Sequence, residues 1–220
     1  MGLVGIMAAK ALASSAVFLF ITVLLMAAAK RTTTCIVLFA VQCAVITVQI
    51  AASAYMLRST ELLIVAGLVL AIKVLIIPYA LLHIRTRLKV SPDVSASTTP
   101  AQSIFISAAL ILLAFIVVEP YSRAFALDVE MLAAATAVVL TGAFLMVSRK
   151  KALMQVIGLL VLENGIFLAA LAATFGMPLV IELGIFFDLL MCVLLMGVFV
   201  FRIRDTFEHV DVSKMRNLRG

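Results

Sequence analysis

The stretch TELLIVAGLVLAIKVLIIPYALLHIRTR, Thr60 to Arg87, settles what kind of chain this is. Its apolar part, Thr60 to Ile84, exceeds the roughly 20 residues that a helix rising about 1.5 Å per residue needs to cross about 30 Å of hydrocarbon. One lysine, Lys73, sits near its middle, and the run leaves through His83, Arg85 and Arg87. This is the pattern of a transmembrane helix that carries one costly charge and ends in a basic anchor.

Working outward, the same pattern recurs along the chain. The 220 residues are 65% hydrophobic and 13% charged, with a mean hydropathy of +1.28. A soluble domain is about half apolar and a quarter charged. The spacing predicts an all-α polytopic membrane protein with about seven transmembrane helices. They fall near Ala11–Ala29, Thr34–Met56, Thr60–Ile84, Ser103–Glu119, Asp128–Ser148, Ala152–Phe175 and Pro178–Phe201, the fourth being the shortest. The opening stretch has no small-residue cleavage site leading into a soluble chain and reads as a retained first span.

The basic residues orient these spans, because short cytoplasmic loops carry the positive charge. Seven spans put Lys30, Arg31, Arg85, Arg87, Lys89, Arg149, Lys150, Lys151 and the Arg202–Arg219 tail residues on one side. Only Lys10, Arg58 and Arg123 fall on the other. The N-terminus is therefore expected outside and the C-terminus in the cytoplasm. The net charge of +6 is accounted for by this bias and calls for no nucleic acid partner. SPDVSASTTPAQ, residues 91–102, is a polar loop between a three-helix group at 1–90 and the rest. Beyond it the expected units are a fourth helix and outer loop at 103–127, three helices at 128–201 and a cytoplasmic tail at 202–220.

Three charges lie where charges are expensive. By residue counting, Lys73, Glu163 and Asp188 all fall near the bilayer midplane, where each costs about 2.5 to 3.5 kcal/mol if it faces lipid. They must face protein, water or one another. Two readings follow: a salt bridge that fixes helix packing, or a proton relay in which buried acids and an amine exchange protons. Pro78 has no N–H for the carbonyl of Val74, so a kink and a loosened ladder are expected beside Lys73. Asn164 adds a polar neighbour to Glu163, and Gly165 permits close helix approach. Glu182 near the outer surface and Gln155 at the inner end of the sixth span are secondary candidates. Gln42 and Gln49, seven apart on one face, read as interhelical hydrogen-bonding residues, and Glu119 beside Pro120 as interfacial. Cys35, Cys43 and Cys192 sit in apolar runs with no metal-ligating spacing and read as packing residues. His83 and His209 do not suit haem ligation within the membrane. No cofactor or metal is expected in this chain.

GLLVLENGIFLAAL (Gly158–Leu171), ELGIFFDLLMCVLLMGVF (Glu182–Phe199), DVSKMRNLRG (Asp211–Gly220) and IKVLIIPYALLHIR (Ile72–Arg85) together resemble the E-type family of membrane components found in hydrogenase-4-type complexes. The last three spans are also similar to the K-type subunit of complex I and to the C-type subunit of multisubunit sodium/proton antiporters. In those relatives one glutamate of the middle helix and one acid of the last helix belong to a lateral proton route. Asp188 matches the latter. Glu163 departs from the former by three residues, since the motif acid would fall at Leu160. The resemblance implies a non-redox membrane-arm subunit of a group 4 nickel–iron hydrogenase or formate hydrogenlyase-like oxidoreductase, in a bacterial or archaeal cytoplasmic (inner) membrane. It carries part of a proton or sodium path and has antiporter-like membrane subunits and peripheral hydrogenase subunits as partners. The alternatives are a subunit of a cation/proton antiporter and a purely structural membrane scaffold.

Overall fold

A computed structural model describes residues 3–87, 94, 96–125 and 129–174. The expected last span, the tail, Glu182 and Asp188 lie outside the described residues. Within them the chain is helical apart from short turns, with an isolated antiparallel bridge between Ala96 and Arg149. Helices α1 (Leu3–Ala28), α2 (Thr32–Leu57), α5 (Pro100–Phe125), α6 (Val129–Ser148) and α7 (Ala152–Thr174) are each continuous. The third rod runs from α3 (Thr60–Val69) through a π-helical segment, Leu70–Ile76, into α4 (Ile77–Arg87). Five of these rods carry spans of 20 to 27 residues that are apolar enough to cross a bilayer, and α1 adds a sixth rod of 26 residues. The protein is a multi-pass membrane protein, as its composition predicts.

The bundle is apolar on its outside and encloses an apolar core in which a few polar side chains are set. Phe105, Leu112 and Ile116 on α5 point outward, whereas Gln42, Gln49, Lys73, Thr141, Glu163 and Asn164 are buried. Lipid gives no hydrophobic drive for helices to associate, so close packing of small residues takes over. The α6–α7 seam shows how. A Cβ placed on Gly142 would lie 2.5 Å from the Leu162 nitrogen, and one on Gly165 would lie 2.6 Å from the Val139 nitrogen. The two backbones touch, and only glycine fits at those positions. The close approach expected of Gly165 is present, and Gly142 contributes to it from the opposite helix.

Three elements differ from their sequence expectations. Helix α5, expected to be the shortest over Ser103–Glu119, is 26 residues long. It starts at Pro100 because Thr99 and Gln102 form a capping box: Gln102 N–H donates to Thr99 Oγ1 at 3.3 Å, and Thr99 N–H donates to Gln102 Oε1 at 2.9 Å. It also continues past Glu119 through Pro120, one lost ladder bond being tolerated inside a membrane helix. Helix α1 starts at Leu3, so Lys10 belongs to the helix rather than to the segment before it. The disturbance ahead of Pro78 takes the form of the π segment, in which Ile77 N–H donates to the Ile72 carbonyl, five residues back.

That segment has a packing consequence. Val69, Lys73, Ile77 and Leu81 are all buried and recur every four residues. An α-helix turns about 100° per residue and would rotate such a series off its face by about 40° at each step. The wider π turns keep Lys73 on the face that packs inward.

Lys30, Arg31, Arg85 and Arg149 gather at one end of the bundle, whereas Arg58 lies at the other, in the α2–α3 turn. Arg149 Nη2 donates to the Ala27 carbonyl at 2.7 Å and to the Met26 carbonyl at 3.4 Å. Val94 N–H donates to the Lys30 carbonyl at 2.8 Å, Ser97 N–H donates to the Ser148 carbonyl at 2.9 Å, and Arg85 donates to the Thr33 hydroxyl. These contacts tie the α1–α2 turn, the end of α4, the loop before α5 and the α6–α7 turn together.

Candidate functional site

Residue counting along a helix gives depth, and depth brings Gln42, Lys73 and Glu163 to the same level, roughly 15 to 21 Å from the basic end. Packing decides whether they meet. The π segment turns Lys73 inward, and α7 presents Glu163 and Asn164 to it. Lys73 Nζ lies 3.3 Å from Glu163 Oε1, an ion pair with side chains 4% and 7% exposed. The same ammonium donates to Asn164 Oδ1 at 3.1 Å. Phe167, four residues beyond Glu163 on α7, puts its ring centroid 5.8 Å from Nζ, within cation–π range.

Helix α2 supplies the other side. Asn164 Nδ2 donates to Gln42 Oε1 at 3.3 Å and to Cys43 Sγ at 3.2 Å. Asn164 is therefore bonded at both ends, its oxygen to Lys73 and its nitrogen to α2. Gln42 and Asn164 are 0% and 1% exposed. The network links three rods through side chains that sequence alone places only by depth.

Of the candidates, Lys73, Glu163 and Asn164 come together, with Pro78 buried one turn beyond the lysine. Gln155 does not join them. It is exposed, and its Nε2 donates to the Arg149 carbonyl at 3.0 Å, closing the α6–α7 turn. Gln42 makes the interhelical hydrogen bond expected of it and in doing so becomes part of the cluster. Cys43 is more than a packing residue, since its sulfur accepts from Asn164. The available signal is position: Gln42 and Cys43 lie at the depth of Lys73 and are adjacent in the chain.

Sequence reasoning also misses a second buried cation. Arg149 is 4% exposed, although its sequence marks it only as one of the basic residues that set orientation. Its guanidinium caps the last carbonyls of α1, where the helix dipole favours a positive charge. Burial pushes its pKa below the ordinary value, but a guanidinium starts so high that it keeps its charge.

The fold and the cluster define a class: a helical multi-pass membrane protein with an acid–amine pair buried at mid-depth among neutral amides. Comparison with known proteins narrows it. The chain is 35% identical over 160 residues to the uncharacterized protein Rv0085 of Mycobacterium tuberculosis, covering 71% of this chain and 73% of that protein. The chain belongs to the same family as that mycobacterial protein. It is also 27% identical over 161 residues to hydrogenase-4 component E of Escherichia coli, covering 73% of this chain and 74% of the relative. The same figures hold for hydrogenase-4 component E of Shigella flexneri. The likeness to hydrogenase-4 component E is therefore supported over most of the chain. No family model and no solved structure matches it.

Proposed function

We propose that this chain is a non-redox membrane subunit of a hydrogenase-4-type energy-converting complex, and that its Lys73–Glu163 pair is one segment of the intramembrane path for protons or sodium ions. The first half rests on the likeness to hydrogenase-4 component E. The observation that carries the second is the buried ion pair at mid-depth, 3.3 Å between Nζ and Oε1. Isolated central charges are costly in a bilayer, and membrane proteins that retain them commonly use them to move ions or protons. In this reading the basic end faces the cytoplasm of a bacterial or archaeal inner membrane, and Asp188 on the expected last span extends the axis. Antiporter-like subunits and peripheral hydrogenase subunits are the partners.

The chemistry is short. The ion pair and the neutral pair of amine and carboxylic acid differ by one proton moved between Nζ and Oε1, a shift that a nearby charge can drive. A charge moved fully across 100 mV involves about 2.3 kcal/mol, so a modest change of pKa in either partner couples the pair to its neighbours. A scaffold reading also draws on the observed network, because Lys73, Asn164 and Gln42 tie three rods together whether or not protons move.

Two near-isosteric variants separate these readings in the tagged complex purified from its membrane. In the relay, Glu163→Gln and Lys73→Arg assemble on native gels but lose coupled translocation by about tenfold or more, because an amide and a permanently charged guanidinium cannot exchange the proton. Translocation at the wild-type level in both variants refutes the relay. Mass spectrometry of the same preparation tests the assembly. Nickel–iron and iron–sulfur subunits are expected with the tagged chain; recovery of antiporter-like subunits alone would move it to an antiporter.

A further inference from the structure

We infer that the ion handled at this site is the proton, not sodium, and that Lys73 is the residue that makes it so. The inference rests on the relay reading above and names the ion for that same path. A sodium ion requires several oxygen atoms turned toward one point. The cluster does turn oxygens toward one point: Glu163 Oε1 at 3.3 Å and Asn164 Oδ1 at 3.1 Å both face the same atom, and the Phe167 ring lies 5.8 Å from it. That atom is Nζ of Lys73. The cation position among these oxygens is filled by an ammonium tethered to the chain.

The surrounding amides hold this arrangement in one sense. Asn164 Nδ2 donates to Gln42 Oε1 and Cys43 Sγ, so its oxygen, not its nitrogen, is directed at the lysine. Gln42 Oε1 is itself taken by that bond. At its other end Gln42 offers Nε2, a buried donor with no hydrogen-bond partner among the described residues. The amide oxygens of both Asn164 and Gln42 are thus engaged by N–H groups, and the group left over on Gln42 repels a metal cation.

What such a cluster can exchange is a proton. When one moves from Nζ to Oε1, an N–H bond breaks and an O–H bond forms, and a charged pair becomes a neutral amine and a neutral carboxylic acid. The acid then passes the proton onward, and the amine is protonated again from the other side. The nitrogen stays in place throughout, so the oxygens do not open to sodium. Lys73 is a specificity residue in this account because its side chain fills the site in every step, as an ammonium in the resting pair and as a neutral amine while the proton is on Glu163 or has passed onward.

The test uses inverted membrane vesicles containing the whole complex, driven by hydrogen oxidation with a soluble electron acceptor. A pH-sensitive dye and radioactive sodium are read in parallel. Expected for the wild type is dye quenching of equal extent with and without millimolar sodium, no sodium uptake above background, and loss of quenching by about tenfold or more in Glu163→Gln. Sodium uptake that resists a protonophore and disappears in Glu163→Gln would overturn the inference while leaving the relay reading intact. Quenching unchanged in Glu163→Gln would instead sink the relay reading. A second measurement needs no turnover: sodium binding to the purified complex in detergent. Binding is expected in Lys73→Gln, where the ammonium is gone and another oxygen is supplied, and not in wild type or Lys73→Arg. Absence of binding in assembled Lys73→Gln would overturn the assignment of specificity to Lys73. If that variant does not assemble, the wild-type fluxes still decide the ion.

Discussion

Among the described residues the protein buries two cations to nearly the same extent and surrounds them differently. Lys73, 3% exposed, sits at mid-depth against a carboxylate, an amide oxygen and an aromatic ring. Arg149, 4% exposed, sits at the basic end against two backbone carbonyls at the close of α1. Burial alone therefore says little about role. An arginine on helix-end carbonyls holds a fixed charge against a fixed dipole. A lysine beside a glutamate pairs two groups that both titrate, in a region where every change of charge is amplified by low dielectric.

Four substitutions would break or sharpen that contrast. The largest effect is expected for Glu163→Leu, which strips Lys73 of its counter-charge. Breaking a buried pair from one side costs about 3 to 5 kcal/mol, so the folded chain should fail to accumulate in the membrane, as quantitative immunoblotting would read. Wild-type accumulation would mean that the pair is held by something other than mutual attraction. Arg149→Met comes next. It removes charge-assisted bonds to the Met26 and Ala27 carbonyls, worth about 2 to 3 kcal/mol together, and should lower the unfolding midpoint in mixed detergent micelles. Translocation per assembled complex should stay at the wild-type level, and a specific loss would erase the distinction between the two cations.

Asn164→Ala is expected to cost less, about 1 to 2 kcal/mol, since interhelical hydrogen bonds in membranes average well under 1 kcal/mol each. Its effect on translocation should exceed its effect on stability, because Lys73 loses the group that orients it; the same two assays decide. Smallest is Thr99→Ala at the start of α5, about 1 kcal/mol in the unfolding assay from the lost cap, with no change in translocation.

The α5 case illustrates how far the sequence can be read. Thr99, Pro100 and Gln102 carry the signature of a helix start, but they lie in a loop rich in Ser, Thr and Pro, and the compositional signal masks the capping signal. The π segment is half legible. Pro78 announces a defect near Lys73, while the form of the defect depends on keeping Val69, Lys73, Ile77 and Leu81 on one buried face. Cys43 gives no sign of being more than an apolar filler, because a thiol becomes a hydrogen-bond acceptor only when a donor such as Asn164 is placed beside it. Arg149 looks like every other basic residue at a span end. Its burial follows from a three-residue turn, 149–151, that folds back against α1.

What the sequence determined by itself is what runs along the membrane normal. The existence of membrane-length apolar spans and the shared depth of Lys73 and Glu163 follow from the fixed rise per residue and the fixed thickness of hydrocarbon. What only the tertiary structure decided runs within the membrane plane: that Lys73 faces Glu163, that Asn164 bridges it to Gln42, and that Arg149 reaches α1. Those choices depend on how closely α6 and α7 approach through Gly142 and Gly165 and on how the π segment turns the third rod. Lateral packing is set by contacts between residues far apart in the chain, such as Gln42 and Asn164, and no spacing within one helix encodes them.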